Sequence, residues 1–112
     1  METYEIQDLT EAGKEILIIE SMRAAGEDVA SYYEIMGNAG WIEFKYKSYM
    51  TTEPVNVNEE LKRLPSADFH LCCVLLTMLL REDHFSNGSF KYRIADGSVD
   101  RILSRMITLQ TR

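Results

Sequence analysis

The feature that most constrains this chain is the run Leu71 to Leu80, LCCVLLTMLL, apolar at every position except Thr77. A surface helix carries apolar residues on one stripe only. A helix apolar all round must be covered on most sides. Ten residues are also too few to cross a bilayer, which takes about 20. The run is therefore expected as the buried centre of a folded domain, inside a helix from Ala67 to about Glu82. Polarity returns abruptly at Arg81-Glu82-Asp83-His84. Phe85 is expected to return to the core, and Asn87-Gly88 reads as a turn.

The segments around this centre carry helical period. Leu9, Ala12, Ile16, Ile19 and Arg23 share one stripe of a first helix, Leu9 to Ala25, with Thr10 as its cap and Gly26 as its stop. Asp28 caps a second helix through Ala39, with Val29, Tyr32, Tyr33 and Met36 repeating along it. Asn58 is expected to cap a short helix through Leu64. Pro65 ends it, and Ser66 caps the central helix. A short helix through Ala95 places Phe90 and Ile94 four apart. Asp96-Gly97 breaks it, and Ser98 is expected to cap a last helix. There Val99, Ile102, Leu103, Met106 and Leu109 form the inner stripe, with Arg101 and Arg105 outside.

One segment departs from this period. From Trp41 to Tyr49 the chain alternates strictly, Ile42, Phe44 and Tyr46 to one side and Glu43, Lys45 and Lys47 to the other. That pattern predicts a half-buried strand. A lone strand needs a partner, and the alternatives are a loop piece at Glu53 to Val57, a second copy of the chain, or an extended segment lying on helices. The fold class expected is mainly α. It is a single domain over 1–112, five or six helices around a central buried helix at 67–82, with one short extended or β segment near 41–49.

Composition agrees with a globular domain. The chain has 112 residues, 46% of them hydrophobic and 27% charged. Its first residues, METYEIQDLTEAG, are acidic where a secretion signal is basic and then apolar. A cytoplasmic setting without membrane contact is the expectation. Cys72 and Cys73 are adjacent, so on a helix they point about 100° apart and do not form an ordinary disulfide. They read as free thiols in a reducing compartment. The net charge of −6 is split unevenly, with −9 in residues 1–60 and +3 in residues 61–112. Such a split is compatible with head-to-tail self-association or with two different partners, and also with two halves that face each other across the fold.

From Gly40 onward the sequence resembles a family of small prokaryotic and phage proteins, domain of unknown function 6508. The residues that carry the likeness are Leu76-Thr77, the run Leu79 to Gly88 (LLREDHFSNG), Asp96-Gly97 and Ile102-Leu103-Ser104-Arg105-Met106. Trp41 to Tyr49 matches loosely, and the likeness covers about residues 40–109. It implies a shared fold and no activity.

Each candidate site competes with an ordinary structural role. Glu82, Asp83 and His84 suit a metal or acid–base pair by residue type. Consecutive residues at a helix end rarely converge on one point, however. Arg81, Asp83, His84, Phe85 and Gly88 are read instead as a structural exit. Arg81 and Asp83 tie the helix to the next turn, and His84 caps its carbonyls. His70 and Cys73 are one turn apart but lack the further ligands a zinc site needs. Glu43-Phe44-Lys45 has the acid-x-lysine form of some metal-dependent nucleases without the second acid on a neighbouring strand. Lys91, Arg93, Arg101, Arg105 and Arg112 make the C-terminal third basic, yet the acidic whole argues against nucleic acid. No metal or cofactor is expected.

The functional expectation is a non-catalytic protein-binding protein, of an accessory or inhibitor type linked to phage or mobile elements, whose partner is another protein or a further copy of itself. The candidate surface is the acidic face of Glu11, Glu15, Glu20, Glu27, Asp28 and Glu34, with Arg101 and Arg105 on the outer face of the last helix as further candidate binding residues. The alternatives are a nucleic-acid-associated protein using the basic third, and a small enzyme using His84 with carboxylates.

Overall fold

The structure, a computed structural model, describes residues 10–111. Among these described residues six α-helices follow one another: α1 (Glu11–Ala24), α2 (Val29–Ala39), α3 (Val57–Leu61), α4 (Phe69–Phe85), α5 (Ser89–Ala95) and α6 (Ser98–Gln110). Two 3-10 turns, Tyr46–Tyr49 and Leu64–Ser66, lie between them. The expected mainly α architecture is the one observed. Leu9, placed on the first helical stripe, and Arg112, counted with the basic third, lie outside the described residues.

The central helix is α4. Every residue from Cys72 to Leu80 is buried, because α3, α5, α6 and the 46–49 turn all pack on it. Helix α6 also packs on α1, which packs on α2. Ile19 and Met22 of α1, Tyr32 and Met36 of α2, and Ile102, Leu103 and Met106 of α6 meet Leu75, Leu76, Leu79 and Leu80 in one core. Phe90 of α5 closes it, edge-on to the Tyr32 ring with centroids 4.8 Å apart.

The caps explain the helix limits, and some of them move from their expected residues. Thr10 accepts from Gly13 N at 3.0 Å and Asp28 from Ala30 N at 3.2 Å, as expected. The cap of α3 is Asn56, which accepts from Glu59 N at 3.1 Å, and not Asn58. Asn58 instead accepts from Arg93 Nη1 at 2.8 Å. The cap of α4 is Asp68, accepting from Leu71 N at 2.8 Å, and not Ser66, which lies in the preceding 3-10 turn. Ahead of α6, Asp96 accepts from Ser98 N at 2.8 Å, so Ser98 is the capped residue. In each case the acceptor lies two or three residues ahead of the amide it satisfies, where its oxygen reaches an amide of the first turn.

The alternating segment forms no strand, and the described residues contain none. A strand exchanges hydrogen bonds with a neighbour, and the described residues offer none. The backbone pairs locally instead: Tyr46 N donates to Glu43 O, Ser48 N to Lys45 O and Met50 N to Lys47 O. Glu43 N donates to Thr77 Oγ1 of α4 at 3.2 Å. The alternation breaks with the turn, so Ile42 and Tyr46 pack partly on the core while Phe44 points outward. Of the readings open for this segment, an extended piece lying on helices is the nearest.

Helix α4 also runs one turn past Glu82. Phe85 therefore falls one turn after Arg81, on the outer face, and is 74% exposed rather than returned to the core. Phe90 takes that core place.

Candidate functional site

The 41–49 segment and the exit of α4 enclose a groove of about 400 Å³. Ile42, Tyr46 and Thr77 lie toward its floor, and Phe44 and Phe85 are its most exposed walls. Phe44 is 88% exposed, the largest exposure of any large apolar side chain among the described residues. Thr77 fixes the floor. Its hydroxyl donates to Cys73 O at 2.9 Å and accepts the Glu43 amide, so the buried hydroxyl is satisfied on both sides. Glu43 then ties the wall to α4 a second time, with Oε2 3.2 Å from His70 Nε2. The Lys45 backbone N–H, bound to Glu43 Oε1 at 3.0 Å, and then the His70 ring hold the Glu43 carboxyl below the usual carboxylate range.

The groove has a cationic edge. The Arg81 guanidinium stands 5.9 Å from the centroid of the Phe85 ring. Lys47 lines the same groove. Among the described residues neither makes an ion pair. A second hollow of similar size lies between Asn58, Lys62, Arg93 and Arg101. Its cations differ in being largely engaged: Arg93 is bound by Glu82 and Lys62 by Glu59 at 2.7 Å.

The exit motif resolves into separate contacts. Asp83 accepts from Gly88 N at 3.2 Å and Phe90 N at 2.9 Å, tying α4 to the turn and to α5 as expected. Glu82 turns to Arg93. His84 is exposed, edge-on to the Phe85 ring with centroids 5.0 Å apart. Among the described residues His84 caps no carbonyl, and Arg81 meets Phe85 rather than the turn. The three polar neighbours Glu82, Asp83 and His84 thus face three different partners. Among the described residues the imidazole–carboxylate contact is His70 with Glu43. The sequence hides it, because the two stand 27 residues apart on a helix and a loop. Among the described residues no group of three or more His, Cys, Asp or Glu could hold a metal ion.

Of the acidic residues, Glu11, Glu15 and Glu20 lie on α1, Glu34 lies on α2, and Glu27 and Asp28 lie in the turn between them. Glu11, Glu20, Glu27, Asp28 and Glu34 are exposed and Glu15 is partly buried. Glu20 is 3.0 Å from Arg23, and Asp28 is spent on its cap and on the Ser31 hydroxyl. The basic third is reduced. Arg93 is buried, not on an open patch, because its guanidinium is enclosed by Glu82 and Asn58. Arg105 donates to Ala67 O at 3.0 Å. Arg101 is exposed and reaches Ser98 Oγ at 3.4 Å. Both thiols are buried and unpaired. Burial pushes Cys72 up to about 11 and Cys73 up to about 12, so neither is a ready nucleophile.

The model of a family of unknown function (DUF6508) matches residues 3–111. The chain belongs to that family. The match starts far upstream of Gly40, so α1 and α2 belong to the shared domain together with the part that carries the resemblance. No curated protein and no solved structure matches the chain. Among the described residues no helix is long and apolar enough to cross a membrane.

Proposed function

We propose that this chain is a non-catalytic protein-binding protein of the accessory or inhibitor type, acting in the cytoplasm through the groove between Phe44 and Phe85. One observation carries the reading: two phenylalanines, 88% and 74% exposed, stand on the same groove, whose floor is tied to the central helix. Exposed aromatic rings grouped on a held surface are what a protein partner covers, since each ring buries on the order of 150–250 Å². The buried thiols suit a reducing compartment. A link to phage or mobile elements belongs to the same reading and is tested by the gene's neighbours.

The groove takes precedence over the acidic face because two of its six carboxylates already serve the fold. Affinity capture from the native host tests this, using the wild type, Phe44→Ala/Phe85→Ala and Glu11→Lys/Glu34→Lys. A partner lost with the aromatic pair and kept with the reversed acids fits the proposal. A partner lost only with the reversed acids returns the acidic face to first place.

A further inference from the structure

The groove also carries information about what it would hold. Its outer walls are the Phe44 and Phe85 rings and the Thr77 hydroxyl at its floor is already engaged, which selects an apolar anchor but no particular partner. The charges narrow the choice. Arg81 lies against the Phe85 ring and Lys47 lines the same groove. The one carboxylate there, Glu43, is already engaged by His70 and by the Lys45 amide. This is a cationic edge on a chain whose net charge is −6. A basic partner would be drawn to the exposed acids of α1 and α2. An acidic partner is repelled by the molecule as a whole and favoured at this edge, where, unlike the hollow lined by Arg101, cations without an ion pair among the described residues stand beside aromatic walls.

Resting on the protein-binding reading above, we infer that the occupant is an acidic segment of a partner protein. It seats one aliphatic or aromatic side chain between Phe44 and Phe85 and sets a neighbouring carboxylate on Arg81. The guanidinium is suited to this, since it can meet a carboxylate with two parallel N–H bonds while stacked on a ring.

A random peptide display library panned on the intact chain and on Phe44→Ala/Phe85→Ala tests it, followed by fluorescence anisotropy with the most enriched peptide. The expected peptides bind the wild type only and pair an apolar residue with Asp or Glu. Arg81→Glu is expected to weaken that peptide about tenfold or more, and a lysine in place of its carboxylate to restore binding to Arg81→Glu. Arg81→Gln gives a smaller loss by removing charge without reversing it. Groove-dependent peptides that carry no acid, or that ignore Arg81→Glu, overturn the acidic occupant and leave the protein-binding reading standing. A library that finds no peptide sensitive to the aromatic pair overturns both. Wild-type oligomers in light scattering that dissolve in Phe44→Ala/Phe85→Ala assign the groove to a second copy and overturn the inference. Both phenylalanines are exposed, so an unchanged unfolding midpoint confirms that each variant is folded.

Discussion

Arg93 and Glu82 meet as a two-pronged pair, Nε to Oε1 at 3.0 Å and Nη2 to Oε2 at 2.9 Å. The pair locks α5 to α4, and Asn58 adds a third bond to the same guanidinium at 2.8 Å. Removing Glu82 strips the buried guanidinium of its two-pronged partner and leaves it only Asn58 and the more distant Asp96 carboxylate, 3.8 Å away. Glu82→Ala is expected to lose about 3 kcal/mol in urea unfolding. Glu82→Ala/Arg93→Met should lose clearly less than the two single losses combined, since the second change removes the stranded charge. Additive losses would show that the two residues act independently.

Glu60 makes stability depend on acid. Burial pushes its carboxyl up. The Thr52 hydroxyl, the Arg63 guanidinium and the Thr51 and Thr52 amides outweigh that and hold it at about 2, against an ordinary 4.5. A depressed carboxyl contributes stability that is present above its unfolded value and lost as pH falls through the folded one. Unfolding followed from pH 6 to pH 2 should therefore show a loss on the order of 2 kcal/mol below about pH 4.5. Glu60→Gln, less stable at pH 6, should show a shallower slope. An identical slope in the variant would place the acid sensitivity elsewhere.

Asp83 serves two amides with one oxygen, and this contact begins α5. Asp83→Ala is expected to cost about 1–2 kcal/mol. Amide exchange should speed up at Gly88 and Phe90 in particular. His84→Ala, with no carbonyl to release, should change stability by less than about 0.5 kcal/mol.

The thiols report on the core. Cys72 and Cys73 should stay unreactive toward an aromatic disulfide reagent at pH 8 and react fully once urea unfolds the chain. Cys73→Ser is expected to destabilise by about 1–3 kcal/mol by burying a hydroxyl in an apolar site. A thiol that reacts at its free rate in the folded protein would contradict the packing around α4.

Periodicity exposed the helices and the centre of the fold because burial on all sides leaves an unambiguous trace, as LCCVLLTMLL does. Cap positions slipped by two residues where several candidate acceptors crowd together, as at Asn56 and Asn58. The alternation at 41–49 leaves a strand and an extended piece on helices both open, because alternation is a necessary sign of a strand and not a sufficient one. Without a neighbouring strand its amides turned inward to local carbonyls and to Thr77. The groove was illegible for a related reason. Phe44 and Phe85 look like core residues in sequence, and only the extra turn of α4 and the turn after Glu43 aim both outward. Arg93 shows the reverse, a cation by composition that the fold consumes.

The most direct test of the groove is a photo-crosslinking amino acid placed at position 44, compared with the same group at position 34 on the acidic face. With the captured partner present, crosslinking is expected from position 44 and to fall away when Phe85→Ala is added. Crosslinking from position 34 with none from position 44 would contradict the assignment of the groove as the working surface.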